Sequence, residues 1–432
     1  MLDTTIFFVM NISVEQYRNF DNKLCNDVIN LSTGLPYSFW FTAWLQDSFS
    51  AFHTARKSAY QLKFISEYFH RENIDFVERV IDGSFFTKQE VEDFFSHSLF
   101  KSENHTGDEC NIVDISKLNL KTLDNLTYTK RHNLNKVGVS TVKIRVNTFS
   151  SFIQWLYEHV YANRIPPQDI EIRFKDIVAR VNRFCRSLKD DNVVVKDVHE
   201  QAIPDEIYFK LLDVVKPSHP SNLWIAQAKL RNNIIVQLLN ETGIRLGALC
   251  KLKISDLLTD KHPRIRITRT PNDSSDTRKM PASQKTKAHT SAISQELMEA
   301  VLLYVKTDRA KYPMANKHDF IFVSHQGKTK GSPIALQTVN YLFETLSRYL
   351  NFRVHPHLLR HKWNEIFELR AREQGLSDQR IDDLRKFACG WSENTEMVSI
   401  YNEFRLAQAA SEIMATSQNN ILQGIKSLSS HD

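Results

Sequence analysis

Turn-forming residues are scarce along this chain: 11 of its 432 residues are glycine and 12 are proline. A fold assembled from many short strands needs glycine or proline at most of its reversals, so long helices must dominate. Propellers and glycine-dependent dinucleotide folds are excluded on the same ground. At this length two or three domains are expected. Hydrophobic residues make up 42% and charged residues 25%, as in ordinary soluble globular proteins. The longest early apolar run, Ile6 to Met10, is too short for a signal peptide or a membrane span, so no membrane partner is expected. The cysteines (Cys25, Cys110, Cys185, Cys250 and Cys389) form no CxxC pair, which spells neither a zinc knuckle nor a redox motif and suits a reducing cytoplasm.

Apolar periodicity places the helices. In KSAYQLKFISEYFH, residues Tyr60, Phe64, Ile65, Tyr68 and Phe69 recur at helical spacing. Thr87, with Glu90 three residues on, spells a capping box. Residues 101–135 are polar and aperiodic, as in a connection or insertion. STVKIRVNTFSSFIQWLYEHVY predicts an amphipathic helix with Ser140 as N-cap and Lys143 and Arg145 on its polar face. RFKDIVARVNRFCRSLKDD predicts another basic helix, and the polar stretch 190–204 reads as the domain boundary. Beyond it, IAQAKLRNNIIVQLLNETGIRLGALCKL predicts a helix broken at Gly243 and restarted. PRIRITRT alternates as a strand, and KAHTSAISQEL as a returning strand that runs into a helix. The expected fold is mainly α with a small β-sheet. It comprises an extension over 1–34 with one short β-like run, an all-helical domain over 35–200, an α+β domain over 205–405 and a helical tail over 406–432.

Four clusters in the second domain ask for one explanation: TGIRLGALCKLKISDL with Arg245, QKTKAHTSAIS with Lys285, HPHLLRHKW with His357, Arg360 and His361, and GWSENTEMVSIYNEF with Trp391 and Tyr401. A phenol has an unperturbed pKa of about 10 and must lose its proton as it attacks a phosphodiester. The pentacoordinate phosphorus gathers negative charge that two guanidiniums can clamp. A lysine ammonium suits protonation of the leaving oxygen, a histidine suits proton exchange near the nucleophile, and an indole N–H adds a hydrogen bond. The clusters supply that inventory.

These residues resemble the tyrosine recombinase (phage integrase) family over about residues 205–405. TGIRLGALCKLKISDL is similar to the box carrying the family's first catalytic arginine, HPHLLRH to its His-x-x-Arg box, and GWSENTEMVSIYNEF to the box ending in the nucleophile. The resemblance implies Arg245 and Arg360 as phosphate clamps, Lys285 as general acid, His357 as proton shuttle, Trp391 as phosphate hydrogen-bond donor and Tyr401 as nucleophile. It implies a helical core-binding domain upstream and a metal- and ATP-independent enzyme that cuts and rejoins double-stranded DNA, with no cofactor. It further implies a homo-tetramer on DNA, an accessory directionality factor, and a cytoplasmic, nucleoid-associated location in a prokaryotic host or mobile element.

The sequence departs from the family pattern in three places. Ala248 stands where a glutamate is usual, Trp391 and Tyr401 lie ten residues apart rather than about nine, and the long segment before Lys285 leaves Lys287 and Lys279 as alternatives for its role. Between 261 and 287, Lys261, Arg264, Arg266, Arg269, Arg278, Lys279 and Lys287 outnumber Asp273 and Asp276. That excess is expected to follow phosphates along a DNA groove, with Lys143 and Arg145 as further contacts. The GKT at Gly327 to Thr329 lacks the earlier glycine of a phosphate loop, since Phe322 stands there. Two rival readings are a non-cleaving regulator of the same fold and a type IB topoisomerase-like enzyme.

Overall fold

A computed structural model of the chain describes residues 10–101, 136–189, 202–270 and 273–392, with Thr395 and the helical pairs 413–414 and 417–418. The expectations for Cys110, for most of the 101–135 connection and the 190–204 boundary, and for nearly all of the tail lie outside the described residues. The chain divides into two units, Met1–Val194 and Val195–Asp432. No helix among the described residues is long and apolar enough to cross a membrane.

The first unit opens on a sheet of β1 (Ile12–Arg18), β2 (Leu24–Asn30) and β3 (Leu35–Pro36), antiparallel and in that order. Ile12, Val14 and Val28 enter the same core as the helices, so these strands are part of the unit and its expected all-helical character is corrected. The signal was masked because β2 buries Asn26 and Asp27, residues that read as loop formers. Asp27 is satisfied locally: Val28 N–H donates to it at 2.8 Å, and so does the Thr42 hydroxyl.

Among the described residues six helices follow: α1 (Phe39–Ser48), α2 (Phe52–Arg71), α3 (Phe76–Ile81), α4 (Lys88–Ser98), α5 (Val139–Val160) and α6 (Gln168–Ser187). The Thr87–Glu90 capping box forms as the sequence predicts. Helix α5 starts earlier than expected, with Gly138 rather than Ser140 at its N-cap. Aromatic rings fill the middle of the unit. Phe149 lies 4.8 Å from Phe94 and 5.5 Å from Phe69, centroid to centroid, while Tyr60 stays outside at 44% exposure.

Arg145 corrects an expectation. It is buried rather than on a polar face. Its Nη1 donates to Ser98 O at 2.9 Å and to Phe100 O, and its guanidinium sits 3.9 Å over the Phe64 ring. It satisfies carbonyls at the end of α4 that a helix terminus leaves without partners. Lys143 is half-buried on the same helix.

The second unit contains α7 (Asp205–Val214), α8 (Ala226–Thr242), α9 (Leu246–Leu249), α10 (Gln295–Lys306), α11 (Leu336–Leu350), α12 (Pro356–Glu373) and α13 (Asp378–Cys389). Strands β4 (Leu257–Leu258), β5 (Arg264–Ile267) and β6 (His289–Ala292) form an antiparallel sheet in chain order, with Ile265 opposite Ser291. The fold is thus mainly helical with small sheets. Helix α8 is buried on most of its faces because other elements surround it: Ile234, Ile235, Val236, Leu238 and Leu239 are buried, and so are the polar Arg231, Asn232 and Thr242.

The connection from β5 to β6 is pinned at Arg278. This side chain and that of Asp276 are 5% and 2% exposed and pair at 2.7 Å. Arg278 Nη1 also donates to Cys250 O at 2.9 Å and Ile334 O at 2.8 Å. Arg278 is therefore a structural strut with its donors turned inward, which corrects its expected place on a DNA groove. Arg278→Ala is expected to destabilise the protein by about 3–5 kcal/mol, because Asp276 would be left buried without its cation. Phe149→Ala is expected to cost about 3–5 kcal/mol through the cavity left among its ring neighbours. Urea denaturation checks both, with exposed Arg266→Ala expected within about 0.5 kcal/mol of the parent.

Candidate active site

Helix α8 stops at Gly243, whose left-handed φ of 58° closes the helix while its N–H donates to Leu239 O at 3.0 Å. A side chain there would also collide with Trp363, whose Cδ2 lies 2.7 Å from where a Cβ would stand. The chain stays out of the helix over residues 243–245 and re-enters it at Leu246, which puts Arg245 in the elbow as the N-cap residue of α9. Two residues on, Gly247 lets another segment approach. A Cβ at Gly247 would lie 2.1 Å from Ser283 O, so only glycine admits the loop that leads to Lys285.

The third cluster forms the start of α12. His355 is its N-cap, accepting Leu358 N–H at Nδ1 over 3.2 Å, and Pro356 takes the first helical position. His357 stands at the mouth of the helix and Arg360 one turn further in. Arg360 is 2% exposed, and its Nη1 donates to Gly243 O. Its Nε and Nη2 are buried with no hydrogen-bond partner among the described residues. Buried donors without acceptors are costly, and a buried cation without a counter-charge more so. An anion lying against them would remove that cost.

Arg245, Lys285, His357 and Arg360 line one cleft of about 440 Å³, together with His355, Ser283 and Asn340. Residues from three separated clusters thus converge on one place. Lys287 and Lys279 are exposed and do not line the cleft, whereas Lys285 is exposed into it. Crowding by protein around its ring lowers the pKa of His357, and the positive charge of Arg360, His355 and Arg245 acts in the same direction. Burial, reinforced by His357, His355 and Arg360, lowers His361 to about 4. The two rings meet edge to face with centroids 4.6 Å apart. The lowered pKa values favour the neutral form of both imidazoles at pH 7, and of the two His357 lines the cleft.

Trp391 lies just past Gly390, which caps α13 in the left-handed conformation at φ 61°. It is 5% exposed, packs with Cys389 and Trp363, and carries the Arg360 guanidinium 5.6 Å from its ring centroid. Tyr401 and most of the interval leading to it lie outside the described residues. Of the other basic residues, Lys261, Arg266 and Arg269 are exposed, as are Lys279 and Lys287, and Arg264 pairs with Asp260. Among the described residues no group of three or more His, Cys, Asp or Glu is placed to hold a metal ion. Chemically, the cleft offers cations and neutral imidazoles to an anionic group.

Residue types alone had not pointed to His355, Ser283 or His289. His355 occupies an N-cap position that Ser, Thr, Asp or Asn usually fill, so the capping signal was absent. Only the Pro356 that follows it hinted at the helix start. His289 sits beside Gly390 through folding, not through sequence.

Residues 210–405 match the model of the phage integrase family. A stretch of 136 residues is 29% identical to tyrosine recombinase XerD of Halalkalibacterium halodurans and covers 31% of this chain and 39% of that relative. The match therefore spans well under half of that relative's length. Among solved structures, the XerH site-specific recombinase bound to difH substrate is 16% identical, with 74% of this chain and 75% of that one covered at a TM-score of 0.39. A lambda integrase dimer bound to a COC′ core site is 15% identical, with 90% and 95% covered at a TM-score of 0.33. Residues 210–405 therefore carry a match to the phage integrase family, and the tyrosine recombinase relative supports the same family for that segment.

Proposed function

We propose that this protein is a site-specific DNA recombinase that cuts and rejoins double-stranded DNA through a 3′-phosphotyrosyl intermediate on Tyr401. The observation that supports this best is the cleft itself, with Arg245, Lys285, His357 and Arg360 together on its lining and two buried Arg360 nitrogens lacking acceptors. A scissile phosphate bound there supplies the missing acceptors. Arg245 and Arg360 hold its non-bridging oxygens, and their charge offsets the negative charge that grows at phosphorus in the transition state. Neutral His357 takes the phenolic proton as the Tyr401 oxygen bonds to phosphorus. The ammonium of Lys285 protonates the 5′-oxygen as its bond to phosphorus breaks. Trp391 backs the Arg360 guanidinium and is the further donor to phosphate.

Fixed cations supply the charge stabilisation, so the scheme needs no metal. The phosphotyrosyl ester keeps the energy of the broken bond, so it needs no ATP. Exposed Lys261, Arg266, Arg269, Lys279 and Lys287 are the proposed phosphate contacts outside the cleft. The likeness of residues 210–405 to the phage integrase family extends the proposal to four protomers on two DNA sites, with a directionality factor and a mobile-element setting.

The test uses duplexes selected by the purified protein from random-sequence DNA, then nicked beside the cleavage position to trap a covalent adduct. Wild type is expected to form the adduct, and Tyr401→Phe to form none. Adduct formation by Tyr401→Phe at the wild-type level refutes the nucleophile, and no adduct with wild type favours the non-cleaving regulator. Relaxation of supercoils without a defined site favours the topoisomerase-like enzyme. Arg245→Ala and Arg360→Ala are each expected to slow cleavage by roughly 10²-fold or more while DNA binding, followed by gel shift, is largely kept.

The pH dependence follows from the lowered pKa of His357. A proton acceptor works in its neutral form, and lowering its pKa extends that form toward acid. The acid limb of the cleavage rate is therefore expected below the ordinary histidine value of about 6.5, and His357→Gln is expected to remove it. An acid limb at or above that value in wild type would count against His357 as the acceptor.

A further inference from the structure

We propose that His289 is a positioning residue that latches the lysine-bearing hairpin to the Gly390–Trp391 turn, so that the general acid and the segment leading to the nucleophile are set by one contact. This rests on the reading of Lys285 as general acid. The latch runs through the peptide groups on either side of Lys287. Lys287 N–H donates to Gly390 O at 2.8 Å, and Lys287 O lies 2.9 Å from His289 Nδ1. A carbonyl oxygen only accepts, so Nδ1 carries the proton and donates. Both backbone polar groups of Lys287 are thereby committed, two residues from Lys285 along the same hairpin.

The opposite face of the contact is equally constrained. A Cβ on Gly390 would stand 2.4 Å from His289 Nδ1 and 2.8 Å from Lys287 O, and the residue's φ of +61° independently favours glycine. Gly390 leads directly into Trp391, whose ring carries Arg360. The hairpin, the phosphate clamp and the start of the final segment thus share one anchoring point. An ammonium on a long exposed stem has many orientations, and a misplacement of about 1 Å costs a catalytic group as much as 10²-fold. A latch at residues 287–289 limits where Lys285 begins.

The chemistry provides a readout specific to this role. In the normal step the Tyr401 oxygen bonds to phosphorus, the bond from phosphorus to the 5′-oxygen breaks, and Lys285 supplies that oxygen with a proton. If sulfur replaces the bridging 5′-oxygen, the group leaves as a thiolate, whose conjugate thiol has a pKa of about 8.5, and no proton donor is needed. The experiment measures single-turnover adduct formation on nicked duplexes with an oxygen or a sulfur bridge, for wild type, Lys285→Ala, His289→Ala, His289→Asn and Gly390→Ala.

His289→Ala is expected to slow the oxygen substrate by about 10-fold or more and to react with the sulfur substrate within about 3-fold of wild type, as Lys285→Ala does. His289→Asn, whose amide N–H stands close to where Nδ1–H was, is expected to recover most of the oxygen rate. Gly390→Ala, which attacks the same contact from the other side, is expected to share the sulfur rescue. An unchanged oxygen rate in His289→Ala overturns the latch, and so does an equal loss on both substrates in His289→Ala and Gly390→Ala. If Lys285→Ala itself shows no sulfur rescue, or wild type forms no adduct on either substrate, the general-acid reading beneath the latch is what fails.

Discussion

A single hydrogen bond organises the cleft: Arg360, buried in α12, donates through Nη1 to the carbonyl of Gly243 at the end of α8. It joins two segments 117 residues apart. The carbonyl belongs to the residue that ends α8 and aims the chain at Arg245, so the bond sets both guanidiniums at once. A lysine could not replace Arg360 here, because one planar group must both hold this carbonyl and keep two further N–H donors in fixed directions. The cost of burying that cation is carried by the rest of the fold, and an anion lying against it would offset that cost.

Two supports keep this arrangement in place. On one side, the missing side chain of Gly247 lets the Ser283 backbone lie against α9, which brings Lys285 into the lining. On the other, Arg385 of α13, 1% exposed, pairs with Glu368 of α12 at 2.6 Å. That pair fixes the helix which delivers Gly390 and Trp391 beneath Arg360. Ala248 sits buried in the apolar core of this unit, at a position where the family usually has a glutamate. Asp276, a buried acid of the same unit, engages Arg278 and through it the Cys250 carbonyl.

Much of this was legible before folding. The break at Gly243, the strand at 264–267, the return at 289–292 and the capping box at Thr87 follow from local rules and appear where those rules put them. The amino-terminal sheet was not legible. Its buried positions include Asn26 and Asp27, whose burial is made tolerable by Thr42 and by neighbouring backbone, partners that periodicity does not reveal. Arg145 and Arg278 were misread for a related reason. A charged residue in a polar-looking stretch reads as exposed, and their burial is explained by the carbonyls at Ser98, Phe100, Cys250 and Ile334 and, for Arg278, by the Asp276 carboxylate.

The sequence by itself determined the chemical inventory and its order: Arg245, Lys285, the His357–Arg360 helix and the Trp391 to Tyr401 segment, together with the helix-rich character imposed by so few turn residues. Spacing and residue type carry that information because local backbone rules act over a few residues. Tertiary structure alone decided which lysine faces the cleft, which arginines are struts, and that the Lys287 peptide is held between Gly390 and His289. Those outcomes depend on close approach between distant segments, where the absence of a Cβ or the position of one carbonyl selects among residues that look equivalent in the sequence.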